Sequence, residues 1–291
     1  MSQIENQTLE TTPMYGTPQQ QDQPSVEQPA RLGPFARLTG TLLSPGETFE
    51  DVNRKPTWLA PLLIASVTML AFSLFFEWKV KPDWNKFFLT MTEKRMGKSI
   101  SELPPDQQEQ VKKQLEFQKK LAVTDLNSPV SLLIATVRSV VFHVVGFLIP
   151  AGIFALGFLL MQGKTTFKRI LSVVAWSWCA TGLVYLIVSV AALMTRNSES
   201  MRDINLADPS SIVPTSIGAF LPSGMPAVMH SIAGSFDVFT IWYLILLTIG
   251  FAAIAGTKKF KTSKAATLVF GVWGVWVLLK AAFAAMGFGP R

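Results

Sequence analysis

The hydrophobic pattern along this chain is blocky rather than alternating. No Asp, Glu, Lys or Arg occurs between Lys55 and Glu77, between Arg138 and Lys164, between Arg169 and Arg196, or between Asp237 and Lys258. A fifth apolar stretch runs from Lys264 to Gly287, with Lys280 as its single internal charge. A helix of about 20 mostly apolar residues crosses the hydrocarbon core of a bilayer. Short alternating segments would instead predict a membrane barrel. The blocks predict an all-α, polytopic integral membrane protein. Its core is a bundle of five transmembrane helices at about 58–77, 138–161, 167–195, 237–256 and 264–286.

The segments between the blocks carry their own patterns. Residues 34–43 are apolar but too short to span, and predict an amphipathic lead-in helix in the membrane interface. Phe35, Leu38 and Leu42 would anchor its apolar face. Ser44, Pro45 and Glu47 form a capping-box sequence, so a second short helix starts at Pro45 and turns Phe49 and Val52 inward. Lys55 before Pro56 ends it. Trp58 and Trp78 flank the first span as interface anchors. Residues 79–128 predict a helical extramembrane hairpin. Asp83 caps one helix and Gly97 ends it. Pro104 and Pro105 introduce another, from Asp106 to about Val123, with a stripe at Val111, Leu115 and Leu121. A loosely ordered charged loop is the competing reading. Pro150 is expected to kink the second span. Between 197 and 235 the chain is rich in Ser, Pro and Gly, with a short helix from Pro226 through Ala233. Residues 1–30 are polar, predict a disordered tail and lack the apolar core of a cleavable signal peptide. Residues 31–291 then form a single membrane domain.

Composition agrees with this class. Of 291 residues, 49% are hydrophobic and 15% charged, against about 25% charged in soluble domains. The net charge of +7 does not mark nucleic-acid binding, because the basic residues form no single patch interleaved with aromatics. They flank the apolar blocks, where they set topology. Arg31, Arg37, Arg54 and Lys55 precede the first block. Lys164, Lys168 and Arg169 separate the second from the third, and Lys258, Lys259, Lys261 and Lys264 the fourth from the fifth. Five spans put all three groups on one side. That side is the cytoplasm of a cell inner membrane or plasma membrane, with the N-terminus inside. Arg37, Arg54 and Lys55 would meet anionic headgroups there. The 79–128 segment, with ten basic and seven acidic residues, falls on the other side and breaks the pattern.

Intramembrane ionisable groups are the default functional suspects. Here they are Glu77, Arg138, His143, Asp237 and Lys280. Glu77 and Asp237 sit at helix ends, and Lys280 can snorkel to the interface. Arg138 and Asp237 form the candidate intramembrane pair. Cys179 reads as a packing residue. His143 and His230 lie in separate segments, so metal-ligand spacing is absent. No catalytic motif occurs. No catalytic residue, cofactor or metal site is expected, and the chain does not read as an enzyme.

Several runs resemble a known family. They are Leu43-Ser44-Pro45-Gly46-Glu47-Thr48-Phe49, Lys55-Pro56-Thr57-Trp58 and Phe167-Lys168-Arg169-Ile170-Leu171-Ser172-Val173. The best match is Ser235-Phe236-Asp237-Val238-Phe239-Thr240-Ile241-Trp242-Tyr243-Leu244-Ile245-Leu246-Leu247-Thr248-Ile249-Gly250-Phe251. Over about residues 38–287 the chain resembles the Yip (Ypt-interacting protein) domain family, in its prokaryotic branch. The resemblance implies a five-helix bundle with a cytoplasmic N-terminus and no known catalysis. It implies a small GTPase partner only by analogy with eukaryotic members. The leading functional expectation is a membrane scaffold or adaptor that binds membrane lipids, other membrane proteins or itself. The alternative is a small-solute transporter or transporter subunit, suggested by Pro150, Arg138 and the Gly- and Pro-rich apolar loop before Asp237.

Overall fold

A computed structural model describes residues 31–125, 127–197, 204, 206, 211–222, 224–256, 260 and 262–288. The expected tail at 1–30 and the basic residues Lys258, Lys259 and Lys261 lie outside the described residues.

The architecture is all-helical. Two short helices, α1 (Pro34–Leu43) and α2 (Pro45–Arg54), lead into α3 (Leu59–Val80). An excursion of α4 (Trp84–Met96) and α5 (Pro105–Ala122) follows. Next come α6 (Pro129–Leu160), α7 (Phe167–Thr195), the short α8 (Ala227–Ala233), α9 (Val238–Ile254) and α10 (Thr262–Phe283). Among the described residues, four helices are long and apolar enough to cross a membrane: α3, α6, α7 and the run Thr262–Met286 that contains α10. The expected fourth span is α9, which has only 17 residues and is about 26 Å long at 1.5 Å per residue. It falls short of the roughly 30 Å hydrocarbon core. The second span differs in the other sense, being one helix of 32 residues that starts at Pro129 and runs through Pro150.

Contacts define two ends of the bundle. At the lead-in end, Asn53 donates to the Ala253 carbonyl at 3.3 Å and Phe158 stacks on Phe260. At the opposite end, Arg196 reaches the Ser211 carbonyl at 2.6 Å and Ser73 meets Thr124 at 3.3 Å. Between them, Ser139 donates to the Ser66 carbonyl at 3.0 Å and joins α6 to α3. The core lies along α7, whose residues Val173, Val174, Ala175 and Trp176 are buried on every side. Helices α1, α2, α3, α6 and α9 all pack on α7. Helix α9 is held between α2, α7 and α10, so Leu246, Leu247, Phe251 and Ile254 see neither lipid nor water. Gly250 makes this fit possible. A Cβ there would strike Val173 of α7 and lie 3.2 Å from the Phe49 ring of α2.

The lead-in segment departs from its expected place. It is amphipathic, but its inner face packs on the bundle. Leu38 is buried and Leu42 half-buried, whereas Phe35 is 78% exposed and Leu43 83%. The three anchors therefore do not share a lipid-facing surface. Helix α2 begins at Pro45 as expected and buries Phe49 and Val52, but Ser44 makes no side-chain cap. Arg37 is not a headgroup ligand. It is buried with Asp51 at 2.9 Å, their side chains 3% and 4% exposed. The guanidinium also donates to the Lys55 carbonyl at 3.0 Å and to the Thr57 hydroxyl at 2.6 Å. Asp51 accepts the Arg31 backbone N–H at 2.8 Å. Burial pushes the Asp51 carboxyl up. The bonds from Arg31 and Arg37, with the Arg37 charge, outweigh it and hold the group below the usual carboxylate range. A buried charge is tolerated only when paired and hydrogen-bonded, and here both partners are.

Removing one partner of such a pair leaves an uncompensated charge and costs about 3–5 kcal/mol. Arg37→Ala is expected to lower the thermal midpoint in detergent well beyond Arg54→Ala, and equal midpoints would refute the role. Because the folded Asp51 pKa is depressed, its contribution is complete above the unfolded value of about 4. It is lost as pH falls through the lower folded value. Acid titration of unfolding below about pH 4 should show that loss in the natural chain and less of it in Asp51→Asn.

Candidate functional site

The lead-in helices pack against α7 and α9, and beside them part of the bundle face is open. The open part is a groove of about 850 Å³. Its walls are Val184 of α7 and Val238, Ile241, Trp242 and Ile245 of α9, with Leu42 at its lower end. A cap made by Thr215, Ser216, Ile217, Phe220 and Phe236 roofs it. The volume is within the range of about 300–1,000 Å³ typical of ligand pockets. Ten of its thirteen lining residues are apolar, and the polar three, Thr215, Ser216 and Asp237, gather at the capped end.

The sequence builds this cap through Asp237. Its carboxylate accepts the Phe239 N–H at 2.9 Å and the Thr240 N–H at 3.0 Å, which caps α9. The same group accepts the Thr215 hydroxyl. Ser216 and Asp237 form an antiparallel bridge, with Ile217 N–H donating to the Phe236 carbonyl at 3.1 Å and Val238 N–H to the Thr215 carbonyl at 3.2 Å. The turn Ile217–Phe220 then rests on α8. Gly218 allows that approach: a Cβ would lie 2.7 Å from the Gly234 nitrogen and 2.9 Å from its Cα.

Arg138 and Asp237 are not brought together. The Arg138 guanidinium donates to the Leu121 carbonyl, to the Ala122 carbonyl at 2.6 Å and to the Thr124 hydroxyl at 3.2 Å. Its electrostatic partner is Glu77, whose carboxylate accepts the Trp84 indole N–H at 3.0 and 3.1 Å. The expected pair fails because each charge meets a nearer, local demand. Asp237 completes the start of its own helix, and Arg138 satisfies carbonyls at the end of α5. Glu77, Trp84, Thr124 and Arg138 together fasten both ends of the α4–α5 excursion to α3 and α6.

His143 is buried, with Nδ1 2.7 Å from the Ser139 carbonyl and its ring against Phe142 and Phe147. Lys280 is half-buried near the end of α10. Trp58 packs against the core while Trp78 is 60% exposed. Among the described residues no three His, Cys, Asp or Glu side chains lie together as a metal site. Sequence reasoning missed the Arg37–Asp51 pair. One signal was present: Asp51 stands among Thr48, Phe49 and Val52 on the inward side of α2.

The excursion itself matches the expected hairpin in outline. Asp83 caps α4 by accepting the Lys86 N–H at 3.0 Å, and Gly97 ends it at a left-handed φ of 70°. In the turn, the Glu93 carboxylate accepts the Ile100 N–H at 3.0 Å and the Ser99 hydroxyl at 2.8 Å. These bonds hold its pKa below the ordinary value. Neither α4 nor α5 buries a residue. Phe117 is 63% exposed, and Leu89, Met91 and Leu121 are exposed as well.

The sequence has relatives among known proteins. The model of the Yip1 domain matches residues 39–284. The chain is 23% identical to "Membrane protein YknW" of Bacillus subtilis (strain 168) over 241 residues, covering 83% of this chain and 88% of that protein. No solved structure matches.

Gly218→Ala is expected to push the Ile217–Phe220 turn away from α8, at the 1–3 kcal/mol typical of overpacking. Hydrogen exchange at the Ile217 and Val238 amides, in a lipid nanodisc, should accelerate. Unchanged exchange would show that the close approach does not hold the cap.

Proposed function

The chain belongs to the Yip1 domain family, and we propose that it is a non-enzymatic scaffold or adaptor in the membrane. The observation that carries this reading is the α4–α5 excursion. It is tied down at both ends by Glu77 and Arg138, yet neither helix supplies a buried residue. A pair of helices that adds so little to the core presents surface instead. That surface joins Phe117, Leu89, Met91 and Leu121 to many charged side chains, a mixture suited to protein contact. The solute-transport alternative loses one of its supports, because the Arg138 guanidinium is occupied by backbone carbonyls rather than turned to a pathway.

The topology that serves this role has five spans, with α9 as the fourth. Its short length is tolerable because α2, α7 and α10 screen much of it from lipid. We place the lead-in end in the cytoplasm, from Arg54, Lys55, Lys164, Lys168 and Arg169 at that end. Arg37 no longer counts toward this signal. The excursion then lies on the outer side of a plasma or cell inner membrane.

Two measurements check these statements. A reporter active only outside the cytoplasm should be silent when joined after Lys164 or Lys261 and active after Arg196. Any reversal rejects the topology. A photo-crosslinking side chain at Phe117 or Leu89, in native membranes, should yield adducts of protein mass, and one at the lipid-facing Leu156 should not. Equal outcomes at all three positions would sink the scaffold reading.

A further inference from the structure

We propose that the groove between α7 and α9 binds one acyl chain of a membrane phospholipid, admitted sideways from the bilayer. The site does not depend on the scaffold reading.

Three observations specify the occupant. The first is depth. From Asp237 to Ile245 the helix descends about 12 Å at 1.5 Å per residue, close to one leaflet of the roughly 30 Å hydrocarbon core. The second is polarity. Val184, Ile241 and Ile245 offer only hydrocarbon side chains, while Thr215, Ser216 and Asp237 mark the capped end, where a headgroup would emerge. A polar solute would lose its hydration along these walls without replacement hydrogen bonds. The third is shape. Leu42 bounds the groove below and Phe220 bounds it above. A helix with side chains is 10–12 Å wide and needs some 30 Å to span. A spanning helix from a second copy therefore does not fit within the bounded length, whereas a flexible chain does.

The cap is built to stand at membrane depth. Irregular backbone survives there only when its polar groups are satisfied or line a cavity. The bonds Ile217 N–H to Phe236 and Val238 N–H to Thr215 provide that satisfaction. Helix α9 is itself shorter than the hydrocarbon is thick, so the cap stands at the hydrocarbon edge, beside the headgroups. Ile217 at 55% exposure and Phe220 at 73% are the surfaces that would meet that edge.

The test uses the full chain purified in detergent with dioleoyl phosphatidylglycerol as probe. Native mass spectrometry should find one phospholipid retained per chain through detergent exchange. Val184→Trp, which fills the groove wall, should reduce that occupancy about tenfold or more. Ile153→Trp, on the exposed side of α6, should leave it unchanged. Absence of a retained lipid in the natural chain, or equal occupancy in Val184→Trp, overturns the proposal. A second readout uses a variant that does not fill the groove. Titration with phospholipid brominated along its acyl chains should quench the fluorescence difference between the natural chain and Trp242→Phe. Saturation at one lipid per chain supports the site. A linear, unsaturated response is the mark of general lipid contact and overturns it.

Discussion

One buried ion pair decides how this membrane bundle is put together. Arg37 and Asp51 come from two short helices that would otherwise lie at the bilayer surface. Each is almost wholly removed from water, and each satisfies the other's charge while bonding to backbone around it. The pair ties α1 to α2 and reaches the linker into α3 through Lys55 and Thr57. That arrangement turns Phe49 and Val52 inward against α9 and α7. The lead-in helices thereby cover part of the bundle face, and the groove lies beside them.

Membrane thickness supplies the second constraint. Helix α6, at 32 residues, is about 48 Å long and overreaches the hydrocarbon. Helix α9 falls short of it. Both are acceptable for the same physical reason: the lipid sees the assembled surface rather than each helix alone. The extra length of α6 carries Arg138 to the end of α5. The missing length of α9 is made up by a cap whose backbone groups pair with each other. Close approach at Gly250 and Gly218 lets the short elements reach their neighbours.

The α4–α5 excursion follows a different logic. Its fastening points are specific and partly buried, with Thr124 at 2% exposure, but its buried apolar residues, Ile100 and Leu103, lie in the turn between its helices and not in either helix. A segment with few buried apolar contacts is expected to open locally at lower cost than the bundle. The fold thus combines a packed, lipid-embedded body with a loosely supported surface module. The region that matches the Yip1 domain, residues 39–284, spans both parts.

The sequence by itself determined the class and the helix list. Long uncharged blocks require helices in hydrocarbon, and Asp83, Gly97, Pro105 and Pro226 placed local boundaries because capping and φ restrictions act within a few residues. Tertiary structure decided what the charges do. Arg37 read as a headgroup ligand, and Arg138 and Asp237 as partners, since a linear sequence records charge but not which carbonyl or amide lies nearest. The groove was equally illegible: its walls come from Leu42, Val184, Phe220 and Trp242, residues far apart in the chain. Helix ends are governed by neighbours along the chain, but ion pairing and cavities are governed by neighbours across it.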